Sequence, residues 1–210
     1  MKILNLYAGI GGNRKLWGGH EVTAVEYDQA TADVYSSYFP NDEMIVGDAH
    51  AFLLENYMNY DFIWASPPCP THSDIRRCGV HAGQYEALYP DMTLYQEIIL
   101  LKNFAPVETM FCIENVIPYY EPLVAPDVNL GRHYYWCNFK IQKFDNLHEV
   151  RISGKNGINS GDNVFGFDVK GTQIKDKRKA LRNMVDPELG LHILNCAMNI
   201  QQPVNFGLFA

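Results

Sequence analysis

Five short apolar runs that alternate with helix-like segments constrain the fold of this chain most strongly. They lie at residues 2–7, 22–25, 44–46, 62–65 and 110–113. Helical patterns separate them at 29–38, 49–57 and 93–104, and a short helix is expected from about Asn13. Each run ends in a glycine, an acidic residue or a Pro-Cys pair. This alternation predicts an α/β fold with a doubly wound, mostly parallel, Rossmann-like sheet that binds its ligands at one edge.

The fourth run leads directly into Ser66-Pro67-Pro68-Cys69-Pro70. The two prolines fix φ and remove two backbone donors, so the strand must end there. A stiff loop therefore delivers the Cys69 thiol to the ligand-binding edge, where it is a candidate nucleophile. For a lone cysteine the alternative is a buried structural thiol.

The first run ends in a glycine-rich turn that is a candidate ligand cradle. Gly9 and Gly11 permit a tight turn and a close approach of the backbone to a ligand. The pattern is not a complete dinucleotide fingerprint, because Arg14 stands where a third glycine would be. Glu26 ends the second run, at the position where an acidic side chain hydrogen-bonds ribose hydroxyl groups.

In order and spacing, these motifs resemble those of DNA cytosine-5 methyltransferases over residues 3 to about 139. Pro-Pro-Cys followed about 45 residues later by Glu-Asn-Val is the most specific combination. The chain is most similar to small, phage-type members with a minimal target recognition region. The matching segments are Asn5–Gly12, Glu26-Tyr27-Asp28, Gly47-Asp48-Ala49, Pro67-Pro68-Cys69 and Glu114-Asn115-Val116.

The resemblance implies a methyltransferase-type sheet and a transfer of a methyl group to C5 of cytosine. Cys69 would add to C6 of the base, Glu114 would stabilise the ring at N3, and Arg132 would hold O2. The implied cofactor is S-adenosylmethionine or a close sulfonium analogue, and the implied partner is double-stranded DNA with a flipped cytosine. The implied cofactor-binding residues are Tyr7, Ala8, Gly9, Ile10, Gly11, Glu26, Tyr27, Asp48, Ala49, Ser66 and Pro68.

The chain departs from the family pattern in four places. Asn5 replaces the usual Asp, Pro70 replaces the usual Gln, and Arg132 is the single arginine of its motif. The last cofactor motif, Gly-Asn-Ser followed by a helix, is not visible, and 195–200 is a poor substitute. Weaker cofactor binding is therefore expected. An inactive relative that only binds nucleic acid and an RNA cytosine-5 methyltransferase stay open as alternatives.

Another alternative is a zinc-stabilised nucleic-acid-binding module. Cys69 and His72 form one Cys-x-x-His pair, and Cys78 and His81 form a second. This spacing is typical of zinc ligands. Pro-Pro-Cys after an apolar strand is unlike a zinc knuckle, however, and the enzyme interpretation therefore expects no metal.

The distribution of charge points to a nucleic-acid path. The net charge is −7, but residues 1–130 hold 6 Lys and Arg against 17 Asp and Glu, whereas residues 131–210 hold 11 against 7. The basic C-terminal third is where a polyanion would bind, unless its basic run is only a solvated helix face. The candidate DNA-binding residues are Lys177, Arg178 and Lys179, together with Arg76 and Arg77 in the loop after the nucleophile.

The chain divides into three predicted regions. Residues 1–140 form the catalytic and cofactor-binding domain, 141–173 a short target recognition region rich in glycine, and 174–210 C-terminal helices that complete the catalytic domain. Five cysteines without a Cys-x-x-Cys motif, and no apolar run of about 18 residues, predict a reducing cytosol, away from membranes. The resemblance implies a bacterial or phage-infected cell, where we expect a monomer that serves restriction-modification, host mimicry or phage DNA protection.

Overall fold

The computed structural model describes residues 1–145 and 163–199. Seven strands form one sheet in the order β3-β2-β1-β4-β5-β7-β6. The strands are β1 (Lys2–Leu6), β2 (Glu21–Glu26), β3 (Glu43–Val46), β4 (Phe62–Ala65), β5 (Met110–Val116), β6 (Val128–Leu130) and β7 (His133–Cys137). The helices are α1 (Gln29–Tyr38), α2 (Ala49–Asn56), α3 (Asp74–His81), α4 (Thr93–Phe104), α5 (Lys177–Arg182) and α6 (Pro187–Ala197).

Strands β1 to β5 are parallel, and only β7 and β6 run antiparallel to their neighbours. The strand order reverses between β1 and β4, which is the switch point where doubly wound sheets open a ligand crevice. The predicted mostly parallel α/β sheet is therefore confirmed. Of the predicted recognition region, residues 146–162 lie outside the described part of the chain, so the three-region division stays a prediction.

Helices cover both faces of the sheet because successive strand residues point to opposite sides. Leu4 and Leu6 of β1 pack in one cluster with residues of α2 and α4. Ile3 points the other way and packs in a second cluster with Trp17 and α6. This two-sided burial explains why the central strands are continuous apolar runs, and it fixes their carboxyl ends at a single edge.

The predicted helix from Asn13 is wrong. Residues 12–16 form successive turns instead, flanked by Gly11 and Gly12 on one side and Gly18 and Gly19 on the other. The side chain of Asn13 is buried and donates to Oδ1 of Asn5 at 2.8 Å. Tertiary hydrogen bonding and glycine punctuation outweigh helix propensity in this short connection. Within residues 1–145 and 163–199, no helix is long and apolar enough to cross a membrane.

Candidate active site

The glycine-rich turn after β1 takes left-handed backbone conformations at three residues. Tyr7, Gly9 and Gly11 have φ angles of 56°, 55° and 89°. A Cβ at Gly11 would overlap the ring of Phe39, whereas a Cβ at Gly9 would meet nothing within 4 Å. Gly11 is therefore required for packing, while the backbone at Gly9 borders open space that a ligand can enter.

Glu26 closes this turn. Its Oε2 accepts a hydrogen bond from the Gly9 backbone N–H at 2.9 Å, and its Oε1 accepts from the Asp28 N–H at 3.0 Å. The carboxylate thus lies at the end of β2 beside the turn, as the sequence predicts for a ribose-binding acid. Asp48 follows β3 at the same edge and caps α2 through the backbone N–H groups of His50 and Ala51.

The other predicted cofactor residues differ in what they can offer a ligand. The side chains of Ala8, Ile10 and Ala49 are buried, so these residues can present only their backbone. Tyr27 is 82% exposed at the end of β2. Two residues follow β4: Ser66 Oγ accepts a hydrogen bond from Trp64 Nε1 at 2.9 Å, and Pro68 is exposed.

A buried acid that the sequence reasoning missed anchors the glycine-rich turn. Glu97 on α4 is fully buried, and its Oε1 accepts a hydrogen bond from the Tyr7 hydroxyl group at 2.5 Å. The same oxygen lies 3.0 Å from Nδ1 of His50. Burial raises the pKa of Glu97, while the hydrogen bonds from Tyr7 and His50 act in the opposite direction. The available signal was an acidic residue at a core-facing position of an apolar helix.

The Pro-Pro-Cys loop and the Glu-Asn-Val motif lie side by side. Ala65 is paired with Ile113 across β4 and β5, so the residues that follow them meet at the carboxyl edge of the sheet. Asn115 is buried, and its Nδ2 donates to the Pro67 carbonyl oxygen at 2.8 Å. This bond fixes the loop that carries Cys69 against the strand that carries Glu114.

The electrostatic surroundings of Cys69 are mixed. Burial raises the pKa of its thiol, and the negative charge of Glu114 raises it further. The positive charges of Lys179 and Arg182 act in the opposite direction. The resting site therefore favours the protonated thiol, and the α5 cations provide the attraction that opposes this.

Glu114 is oriented toward a residue that sequence reasoning did not assign. It is 8% exposed, and its Oε2 has no hydrogen-bond partner among the described residues. That oxygen lies 3.8 Å from Nε2 of His133, which is paired with Val116 across β5 and β7. Arg132 precedes His133 in the tight turn between β6 and β7, and its carbonyl oxygen accepts from the Ile117 N–H at 3.2 Å. The structure therefore brings Arg132 to the edge that carries Glu114.

Arg76 and Arg77 lie on helix α3 and not in a loop, which corrects the prediction. Ser73 caps this helix, and its backbone N–H donates to the Cys69 carbonyl oxygen at 3.1 Å. Arg77 pairs with Asp74 at 2.8 Å. The hydrogen-bonded Ser73 cap stabilises a helix in this segment.

The segment before α6 packs against the glycine-rich turn. Val185 lies directly on the glycine-rich turn, since a Cβ at Gly12 would come within 2.5 Å of its carbonyl oxygen. Helix α6 follows, and its Gly190 packs against the backbone of Asn13. Asn183-Met184-Val185, followed by α6, therefore lies against the glycine-rich turn. Pro187 at the first turn of α6, after the Asp186 cap, was the available signal. The poor substitute at 195–200 includes Ile200, which lies outside the described residues, and Asn195 belongs to α6.

The predicted basic segment forms α5, whose N-cap is Asp176. Arg178 and Lys179 are exposed, and Lys177 is half-buried. Because the charges of Lys179 and Arg182 act on the Cys69 thiol, α5 lies beside the site. The nucleophile and the basic segment are far apart along the chain but are electrostatic neighbours in the fold.

The described residues do not form the set of ligands that a zinc site would need. No cluster of three or more His, Cys, Asp or Glu side chains within 1–145 and 163–199 is arranged to hold a metal ion. His72 is buried, and its Nδ1 lies 2.5 Å from the Tyr120 hydroxyl group. Cys78 is exposed, and its Sγ contacts Asp74 instead.

Comparisons with known proteins identify the family and the fold of the chain. A family model described as C-5 cytosine-specific DNA methylase matches residues 1–119. No curated protein matches the sequence. Among solved structures, the Entamoeba histolytica methyltransferase EhMeth is 12% identical and aligns with a TM-score of 0.54 over 97% of this chain and 99% of that chain. This alignment shows the Rossmann-like fold of S-adenosylmethionine-dependent methyltransferases.

Two further solved structures match parts of the chain. A protein described as a DNA modification methyltransferase encoded within an Escherichia coli prophage is 22% identical over 58% of this chain and 33% of that chain, with a TM-score of 0.37. DNMT2 from Spodoptera frugiperda is 25% identical over 55% of this chain and 35% of that chain, with a TM-score of 0.38. The chain thus spans about a third of the length of these two proteins.

Proposed function

Because this chain belongs to the C-5 cytosine-specific DNA methylase family, we propose that it transfers a methyl group to C5 of cytosine in double-stranded DNA through a covalent bond between Cys69 and C6. The observation that carries the proposal is the hydrogen bond between Asn115 and Pro67. It joins the nucleophile loop to the Glu114 strand at the edge where the glycine-rich turn also ends. The three groups that the chemistry needs thereby share one crevice.

The residues around the turn fit S-adenosylmethionine. Gly9 and Gly47 border open space, and both donate to Glu26: the Gly9 N–H to its carboxylate and the Gly47 N–H to its backbone carbonyl oxygen. Glu26 would accept hydrogen bonds from the ribose, and Asp48 lies where the adenine would bind. Met184 and Val185, which precede α6, complete the wall over Gly12. When bound here, the cofactor would supply an electrophilic methyl group.

Three side chains, those of Cys69, Glu114 and Arg132, would act directly on the cytosine. The Cys69 thiolate adds to C6 and makes C5 nucleophilic enough to take the methyl group. Glu114 stabilises the electron density that develops at N3, by hydrogen bonding or proton donation. Arg132 holds O2 of the base. The C5 proton then leaves to a base, the C6–S bond breaks and the thiolate is released.

The His133 imidazole supports the role of Glu114. It lies 3.8 Å from the one carboxylate oxygen that has no hydrogen-bond partner among the described residues. The His133 imidazole would therefore orient the Glu114 carboxylate without contacting the substrate.

Helix α5 would bind the DNA backbone beside the crevice. Lys177, Arg178 and Lys179 lie on this helix, and the charge of Lys179 acts on the thiol, near which the target strand must pass if its cytosine is to reach Cys69. Arg76 and Arg77 would approach the same strand from α3. Turning the cytosine out of the stack would cost a few kcal/mol, which these phosphate contacts help to offset.

Covalent trapping tests the proposal. The protein is incubated with S-adenosylmethionine and a duplex in which 5-fluorocytosine replaces cytosine, because fluorine at C5 cannot leave as a proton does. A denaturation-resistant protein–DNA adduct is expected for the wild-type protein and for Cys78→Ser, which removes an exposed thiol nine residues away. Cys69→Ser should give no adduct.

Three outcomes would contradict the proposal in different ways. An adduct that persists in Cys69→Ser would exclude this thiol as the nucleophile. Trapping on an RNA of the same sequence, without trapping on DNA, would assign an RNA substrate. Binding of the duplex with no adduct in any variant, and no methylcytosine by nucleoside mass analysis, would indicate a relative that binds DNA without modifying it.

A further inference from the structure

A second cavity lies next to the proposed cytosine site. Its volume is about 240 Å³, smaller than the roughly 300–1,000 Å³ of pockets for drug-sized ligands. Nine residues of the α3 region and of the segment after β5 line it: Thr71, Ser73, Arg76, Arg77, Val80, His81, Ala87, Leu88 and Tyr119. None of them belongs to the cofactor crevice or to the catalytic set of Cys69, Glu114 and Arg132.

The walls of this cavity continue directly from the two catalytic motifs. The Cys69 carbonyl oxygen accepts from the N–H groups of His72 and Ser73, so the wall at Thr71 and Ser73 begins within one turn of the nucleophile. On the opposite side, the Tyr119 N–H donates to the His72 carbonyl oxygen at 3.1 Å, and this segment follows Glu114 by only a few residues. A ligand in the cavity therefore borders whatever is bound between Cys69 and Glu114.

The cavity combines positive charge with an aromatic ring. The Arg77 guanidinium lies 5.5 Å from the centre of the Tyr119 ring and is partly neutralised by Asp74. Arg76 lies over the Tyr85 ring at 5.4 Å and donates to the Glu86 carbonyl oxygen. The Nε of Arg76 is buried and has no hydrogen-bond partner among the described residues.

Helix α3 and the loop after it are built to hold these cations in place. Gly79 leaves room for the Tyr85 ring, which a Cβ would overlap. The Thr71 hydroxyl group accepts from the Asp91 N–H at 2.9 Å and so ties the far end of the loop to the nucleophile side. Arg76 and Arg77 bring two positive charges to this wall, against the one negative charge of Asp74. His81 and the hydroxyl groups of Thr71 and Ser73 also line it.

We propose that this cavity binds one nucleotide of the substrate strand, next to the flipped cytosine. Its base would pack on Tyr119, Val80 and Leu88, and its phosphate would take the donors of Arg76 and Arg77. The volume suits one nucleotide unit and not a whole cofactor. The inference rests on the proposed function in one respect only, which is that the strand carries the reacting base. The pocket would make the enzyme selective for the neighbouring base without help from a large recognition domain.

The test fills the cavity in a protein that cannot react. In a Cys69→Ser background, Ala87→Trp places an indole group at the cavity wall, and Ala82→Trp adds the same group at an exposed position of the same segment that does not line it. Binding is measured by fluorescence anisotropy with short labelled duplexes that contain one cytosine and differ in the base on each side. We expect Ala87→Trp to weaken binding by about ten-fold or more and to abolish the preference for one neighbouring base. Ala82→Trp should retain both the affinity and the preference.

The possible results separate this inference from the proposed function. Equal affinities and equal base preferences in the two tryptophan variants would overturn the pocket. Sensitivity to Ala87→Trp with an RNA hairpin of the same sequence, but no binding of the duplex, would keep the nucleotide pocket and contradict DNA as the substrate. A sensitive duplex interaction in a protein whose wild-type form makes no methylcytosine would support the pocket and refute the proposed activity.

Discussion

Removal of the Tyr7 hydroxyl group should destabilise the glycine-rich turn, and the change in the free energy of unfolding can be estimated from the structure. Tyr7 holds a left-handed backbone conformation, which costs a non-glycine residue roughly 1–2 kcal/mol. Its hydroxyl group donates to the fully buried Glu97 at 2.5 Å, and a hydrogen bond to a charged group contributes about 1.5–3 kcal/mol. The bond thus offsets the backbone strain, and we expect Tyr7→Phe to lower the free energy of unfolding by about 1.5–3 kcal/mol.

The same substitution should weaken cofactor binding, because the turn is then no longer held in its binding conformation. Urea unfolding measures the stability, and calorimetry with S-adenosylmethionine measures the affinity. Tyr35→Phe is the matched control, since it also removes a hydroxyl group that donates to a carboxylate, that of Asp42 at 2.8 Å. It should destabilise the protein by a comparable amount and leave the affinity unchanged.

A double-mutant cycle with Glu97→Gln tests the physical cause. The two substitutions should be strongly non-additive, because Tyr7→Phe removes this hydrogen bond and Glu97→Gln removes the negative charge that strengthens it. Burial raises the pKa of Glu97, so the folded protein holds this proton more tightly than the unfolded chain. The contribution of Glu97 to stability is therefore fully present below the unfolded pKa of about 4.3 and is lost as the pH rises through the folded pKa, and Glu97→Gln should remove this part of the pH dependence. Additivity within about 0.5 kcal/mol, or an unchanged pH dependence, would refute the reasoning.

Three further outcomes are expected. Gly11→Ala should destabilise the protein more than Gly9→Ala in thermal unfolding, because both glycines have positive φ but only at Gly11 would a Cβ overlap the Phe39 ring; equal effects would show that strain alone decides. Glu114→Gln should speed the alkylation of Cys69 by iodoacetamide at neutral pH, because the carboxylate raises the pKa of the thiol. Lys179→Gln should slow this reaction, because the ammonium group lowers that pKa. Mass spectrometry of the labelled peptide measures both rates, with the exposed Cys78 as internal reference. Replacing Lys177, Arg178 and Lys179 with Gln should reduce the slope of log affinity against log salt by about 0.9 for each phosphate that is no longer neutralised; a wild-type slope would mean that α5 is only a solvated helix face.

Local chemistry in the sequence determined five of the seven described strands, three of the helices and the order of the motifs. Apolar runs that are buried on both faces read as strands of a parallel sheet without tertiary information, and prolines and glycines end elements through the backbone alone. For this reason β4, the turn at Gly9 and Gly11, and helices α1 and α4 lie where the sequence predicts them. Cys69 and Glu114 are recognisable from the sequence because each lies at the carboxyl end of such a strand.

Only the tertiary structure decided which distant residues meet. Glu97 contacts Tyr7 across 90 positions, and Val185 covers Gly12, because helices cross the sheet and bring back segments that have no local signal for one another. The helix expected at Asn13 yields to a buried amide pair with Asn5, a contact that propensity does not contain. Likewise, the charge of Lys179 reaches the thiol of Cys69 only after the chain has folded α5 against the site. The motif residues can be recognised from the local sequence, whereas their electrostatic surroundings arise from long-range packing.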